Sequence, residues 1–229
     1  MTEALREGLR LWHQGLYEQA LYFLEDLDLI QEPEAAYYLA LSYSKLGRTP
    51  EALEALDLLL ERESNLVKLT QAKMIRAFLL TTESRFSEAE RALGGMLGEG
   101  IESVQVYSNY GYVLWALGRG KEAAAWLNKA LAKDPENANA LNSMGYILAD
   151  EGVLLDKALA FCRKALNLQK TNPAYLDSVG WVYHKMGLEK QALSYLQKAV
   201  EGEPDNVDFR IHLVDVERAL SLTAEGRTR

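Results

Sequence analysis

The chain has 229 residues, 48% of them hydrophobic and 25% charged, the balance of a folded protein with room for one or two compact domains or one array of six or seven short repeats. Its formal net charge of −8 resides in residues 1–103, which hold 10 Lys/Arg against 18 Asp/Glu, while residues 104–229 hold 15 of each. The acidic half argues against nucleic acid as the main partner, because phosphate binding needs a basic stripe. A lone cysteine, Cys162, rules out a disulfide framework within the chain.

Helices are expected throughout. The five prolines, at 33, 50, 135, 173 and 204, all fall at element junctions, where a missing N–H does no harm. A first helix pair spans residues 1–32, with Gly8, Leu11, Ala20, Leu24 and Leu27 as its apolar seam and Gly15 in its turn. The second, 33–69, opens at Pro33 and carries Leu39, Ala40, Tyr43, Gly47, Ala52, Leu56 and Leu59. Thr49 and Pro50 read as cap and first turn of its second helix, and a small insertion is placed at 64–69. The third, 70–103, is the least regular. Ala77, Leu80, Ala89 and Leu93 keep the spacing, whereas Arg76 and Ser84 depart from it. Ser87 and Glu90 read as a capping box. Gly94, Gly95, Gly98 and Gly100 predict that the following helix ends early and that 94–103 is the softest stretch.

The spacing is sharpest in the last three pairs. Residues 104–137 carry Tyr107, Tyr110, Gly111, Leu114, Gly118, Ala123, Leu127, Ala130 and Pro135. Residues 138–172 carry Leu141, Met144, Gly145, Leu148, Ala158, Cys162 and Ala165, with one extra residue in the stretch 152–156. Residues 173–206 carry Leu176, Val179, Gly180, Tyr183, Gly187, Ala192, Leu196, Ala199 and Pro204. Asn172 is the N-cap of this pair and Pro173 its first helical residue. Gly180 and Ala192 lack bulk, so two antiparallel helices can approach closely there. A last helix, 207–222, shows an apolar face through Phe209, Ile211, Leu213, Val214, Val216, Ala219 and Leu220, and 223–229 is a polar tail.

This spacing of about 34 residues, with Leu-x2-Val-Gly-x2-Tyr and Ala-x3-Leu-x2-Ala in the unit 173–206 and related residues at the same places in the units before it, resembles the tetratricopeptide repeat (TPR). The glycine-punctuated turns and the stretch 172–178 are similar to bacterial members. The resemblance implies an all-α fold: a right-handed α-solenoid of about six helix–turn–helix units, closed by a C-terminal capping helix and forming a single domain over 1–222. It also implies that the first helix of each unit lines a concave groove, with places five, nine and twelve of the unit pointing into it. Those places are Leu5, Leu9 and Trp12; Tyr37, Leu41 and Ser44; Met74, Phe78 and Thr81; Ser108, Tyr112 and Trp115; Asn142, Tyr146 and Ala149; and Asp177, Trp181 and His184. Asn109 borders them.

Rings at helical spacing are commonly core. Here the core is supplied by other places of the unit, which leaves the groove stripe for a partner. The expected contacts are Tyr37, Phe78, Ser108, Asn109, Tyr112, Trp115, Asn142, Tyr146, Asp177, Trp181 and His184, for an extended peptide or a helix of another protein. The surfaces that clamp chaperone C-termini in some family members, through Lys, Asn and Arg, carry Tyr, Met, Phe and Trp here. The expected function is a non-catalytic adaptor or scaffold with no cofactor and no metal. His13, His184 and His212 lie in different units, and no phosphate loop or nucleophile motif occurs. Alternatives are self-association through the end around Leu5, Leu9 and Trp12, or a regulatory subunit of an enzyme or assembly complex. The N-terminus lacks the apolar core of a signal peptide and no span of membrane length occurs, so a cytoplasmic protein is expected.

Overall fold

The computed structural model describes residues 1–29 and 32–226, without the side chains of 223–226. The described residues form thirteen α-helices and no strand, in two compact units, Met1–Glu102 and Ser103–Arg229. The first unit holds α1 (Glu3–His13), α2 (Tyr17–Leu24), α3 (Pro33–Lys45), α4 (Thr49–Arg62), α5 (Leu66–Thr82) and α6 (Phe86–Gly98). They pack as the pairs α1–α2, α3–α4 and α5–α6. The second holds α7 (Val104–Ala116), α8 (Gly120–Lys133), α9 (Ala138–Asp150), α10 (Leu155–Leu168), α11 (Pro173–Lys185), α12 (Glu189–Gly202) and α13 (Val207–Gly226). Here the pairs are α7–α8, α9–α10 and α11–α12, with α13 laid on α11 and α12. The polar tail expected from 223 begins later: α13 continues to Gly226, and 227–229 lie outside the described residues.

Two backbone demands set the repeat. The first is the turn inside each pair. The second residue after the first helix takes a positive φ, and the next one donates its N–H to the carbonyl five residues back, as in Arg48 to Tyr43, Arg119 to Leu114 and Leu188 to Tyr183, each at 2.9 Å. This is a Schellman closure, which favours glycine, and Gly187 fills the place with φ +73°. In the third pair Ser84 holds the same conformation at φ +56°, so its departure from the pattern is one of residue type and not of geometry. The second demand is the seam. A Cβ on Gly180 would lie 2.7 Å from Leu196 Cγ, and one on Gly111 2.7 Å from Leu127 Cγ. Ala40 and Ala77, both fully buried, serve the same place in α3 and α5.

Several local expectations are corrected. Thr49 is not the cap of α4: the N-cap is Arg48, no side chain bonds the helix start, and Thr49 with Pro50 forms the first turn. Ser87 likewise lies inside α6, behind an Arg85 N-cap that makes no side-chain cap bond. The tight turn fixes where each second helix begins, and an Arg–Glu pair at i,i+3 recurs there instead, in Arg48–Glu51, Arg85–Glu88 and Arg119–Glu122. The extra length at 64–69 is absorbed as helix, because α5 starts at Leu66 with the Asn65 carboxamide accepting from the Val67 and Lys68 amides. Nor does α6 end early. It runs through Gly94 and Gly95 to Gly98 because Leu93 and Met96 are anchored in the core at 0% and 1% exposure. The extra residue between α9 and α10 is where the spacing put it, with Leu154 at φ +50° absorbing it.

Candidate functional site

In the second unit the first helices pack on one another, α7 on α9, α9 on α11 and α11 on α13, while α8, α10 and α12 each pack on the first helices to either side. The side of the unit formed by α7, α9, α11 and α13 is therefore the inside of its curve. Along it runs a continuous chain of rings. Tyr112 lies 5.7 Å from Trp115, Trp115 meets Tyr146 edge-on at 5.1 Å and 90°, and Tyr146 lies 6.1 Å from His212. His212 then stacks on Trp181 at 4.1 Å and 20°, and Trp181 meets His184 at 5.2 Å. Lys185 Nζ sits over the Trp181 ring at 4.6 Å, a cation on its face.

The ladder is partly a core. Trp181 is 9% exposed and Asp177 4%. His212, brought in by α13, is 8% exposed and holds Asp177 through Nδ1, at 3.0 Å from both carboxylate oxygens. Tyr146 Oη lies 3.5 Å from His212 Nε2. With Nδ1–H donating to the carboxylate, Nε2 is free to accept from the phenol. Burial pushes the Asp177 carboxyl up, and the charge of Asp208 adds to this, while the His212 hydrogen bond pulls it back. Burial likewise raises the phenols of Tyr112 and Tyr146, so both stay protonated. A carboxylate–imidazole–phenol row could pass a proton, but one closed off to this degree offers nothing to a substrate. Its effect is to fasten α13 to α11.

The expected contact residues therefore divide. Ser108 is buried, at 4%, and donates to its own helix at Val104 O, so it is withdrawn from the surface together with Asp177. Trp181 is covered on one face by His212. Asn109, Tyr112, Trp115, Asn142, Tyr146 and His184 remain half-buried on the inner side, and His184 Nδ1 is paired with Glu189 at 2.8 Å. Two buried atoms here, Asn142 Oδ1 and Trp181 Nε1, have no hydrogen-bond partner among the described residues. In the first unit Phe78 is 54% exposed on α5, and Tyr37 packs edge-on against Tyr38 at 5.5 Å. Leu5, expected at an exposed end, is 2% exposed, and Trp12 beside it is engaged by His13, Tyr17 and Tyr38. Those residues are internal packing. His212 is the residue that the pattern missed. Its spacing from Phe209 and Val216, three before and four after, marks it as an inner-face residue of α13.

The chain's single thiol does not open onto this surface. The Cys162 thiol is fully buried against Gly145, and burial pushes it up to about 12, away from the thiolate that chemistry would need. Among the described residues no cluster of three or more His, Cys, Asp or Glu could hold a metal ion, and no helix is long and apolar enough to cross a membrane.

Comparison with known proteins places this architecture. A TPR repeat-containing protein of Pseudomonas aeruginosa is 31% identical over 166 residues, 71% of this chain but 27% of the relative, so the chain spans about a quarter of that relative's length. Among solved structures, the anaphase-promoting-complex Cut9–Hcn1 hetero-tetramer superposes with a TM-score of 0.74 at 16% identity, over 93% of this chain and 42% of that one. PilW, a type IV pilus biogenesis factor, gives 0.64 at 22% identity, over 83% and 87%. At those identities the likeness is one of fold. Models of the tetratricopeptide repeat match residues 34–65, 82–138, 111–174 and 174–206. The chain belongs to the tetratricopeptide-repeat family.

Proposed function

We propose that the chain is a non-catalytic adaptor that holds another protein by a peptide segment or helix laid along the inner face of its second unit. A fold of stacked helix pairs supports binding to proteins in general; the ring ladder supports this particular surface. The observation that carries the reading is the run of half-buried aromatic groups from Tyr112 through Trp115 to Tyr146, continuous at centroid spacings of 5.1 to 5.7 Å. Large rigid rings lose little freedom on binding and are enriched among residues that dominate interface energies.

The test is selection of binding peptides from a displayed random library on the immobilised chain, followed by titration against Tyr112→Ala/Trp115→Ala, with circular dichroism confirming that the variant folds. A hot-spot pair of this kind should lower the affinity of the selected peptides by roughly 30-fold or more, about 2 kcal/mol. Selected peptides that bind the variant unchanged would move the site off this face.

A further inference from the structure

Charge is sorted by side in the second unit. The inner helices α7, α9 and α11 carry a single Lys or Arg between them, Lys185, whereas α8, α10 and α12 on the outer side carry three, three and two. Lys185 is already engaged, with its ammonium group over the Trp181 ring at 4.6 Å. The open end of the ring run has carboxylates instead. Asp150 follows Tyr146 by four residues on α9, and Asp208 precedes His212 by four on α13. Each therefore stands one turn along from a member of the run, on the same side of its helix. Both are exposed, and neither forms an ion pair among the described residues. Both charges act on the Tyr146 phenol, and that of Asp208 reaches Tyr112 on α7 as well. Arg210, the nearest cation along α13, is two residues on from Asp208 and so on the opposite side of the helix.

The face of an aromatic ring is negative and attracts a cation. A carboxylate beside it adds a charge-assisted hydrogen bond. The chain uses the first of these contacts twice within itself, with Lys185 on Trp181 and Lys129 over Trp126 at 3.7 Å. At Tyr112, Trp115 and Tyr146 the rings and the carboxylates are present and the cation is not supplied by the inner helices. We propose, building on the adaptor reading above, that the segment held on this face is cationic: a peptide or helix that lays arginine side chains on Tyr112, Trp115 and Tyr146 and pairs them with Asp150 and Asp208. Arginine suits the place better than lysine, because its planar guanidinium lies flat on a ring and still offers its edge to a carboxylate. An acidic segment is repelled from the same face.

The test starts from peptides selected from a random library on the immobilised full chain, keeping those that Tyr112→Ala/Trp115→Ala no longer binds. These ring-dependent peptides should be enriched in Arg over the input library and poor in Asp and Glu. Synthetic versions with each Arg replaced by Gln should bind the wild-type chain about tenfold or more weakly. Asp150→Asn/Asp208→Asn in the chain should weaken the original peptides to a similar degree, about tenfold. Glu54→Gln/Glu61→Gln, the same loss of charge on exposed carboxylates of α4, should stay within about threefold of wild type. Circular dichroism checks that the variants fold. Ring-dependent peptides that are neutral or acidic, or that bind Asp150→Asn/Asp208→Asn as tightly as wild type, would overturn the cationic assignment and leave the adaptor reading standing. A selection that yields no ring-dependent peptide would overturn both.

Discussion

Removing one ring should free the end of the second unit. His212→Ala takes away an imidazole that stacks on Trp181 at 4.1 Å and donates to a carboxylate that is only 4% exposed. The stack is worth about 0.5–1.5 kcal/mol, and a hydrogen bond to a charged group about 1.5–3 kcal/mol. The two together come to about 2–4 kcal/mol. In a stacked array the loss is felt locally, because each element leans only on its neighbours, and α13 leans on α11 and α12. Amide hydrogen exchange is therefore the assay. Protection of α13 should fall by roughly 100-fold, as about 3 kcal/mol, the middle of that sum, requires, while α7 and α8 keep theirs. Protection of α13 within threefold of wild type would refute the fastening role of His212.

The same variant has a signature in pH. Burial and the charge of Asp208 raise the Asp177 carboxyl, and His212 opposes them; Tyr146 and Cys162 face it as neutral groups. Without His212 the rise is unopposed. A carboxyl raised in the folded state binds its proton more tightly there than in the unfolded chain. Its stabilising contribution is complete below the ordinary carboxylate range and is lost as pH rises through the raised value. The defect of His212→Ala should accordingly be largest at neutral pH and shrink towards about pH 4. His212→Ala/Asp177→Asn, which lacks that titration, should show no such recovery. Equal recovery in both would place the titrating group elsewhere.

Replacing Ser84 or Leu154 by glycine, at φ +56° and +50°, should stabilise by up to about 1 kcal/mol in urea unfolding, the left-handed penalty less the glycine entropy; a loss would mean that those turns do not hold this conformation. Gly180→Leu should overpack the α11–α12 seam and destabilise by about 1–3 kcal/mol. Gly95→Ala, facing open space inside α6, should stabilise by about 0.5–1 kcal/mol. An unchanged midpoint for Gly180→Leu would mean the seam is misassigned, and one for Gly95→Ala that α6 does not hold this place as helix. Cys162 should react with a thiol reagent at neutral pH only as fast as the second unit opens, so its labelling rate should rise with urea in step with unfolding; immediate labelling would contradict its burial.

The helix pairs were legible because each rests on a backbone requirement that few residue types meet: a positive φ at Gly187 and its counterparts, and a missing side chain at Gly111, Gly145 and Gly180. Where the requirement is weaker, the pattern misleads. Thr49 and Ser87 are good capping residues placed one and two residues too late, since the Schellman turn has already started the helix. Gly94 and Gly95 are poor helix formers overruled by the burial of Leu93 and Met96 on either side. The site was legible as a stripe but not as a surface. Whether a residue at place five or nine of a unit meets solvent depends on the next unit, and for the last unit the next element is the lone α13. His212 comes 31 to 35 residues after the groups it covers, from a face otherwise read as apolar, so nothing in the local spacing announces that Asp177 is sealed. The consequence runs back along the ladder. Asp177 and Trp181 are covered by the following element, so the proposed partner surface rests on the other end, at Tyr112 and Trp115, and a ligand bound there need not disturb the fastening of α13.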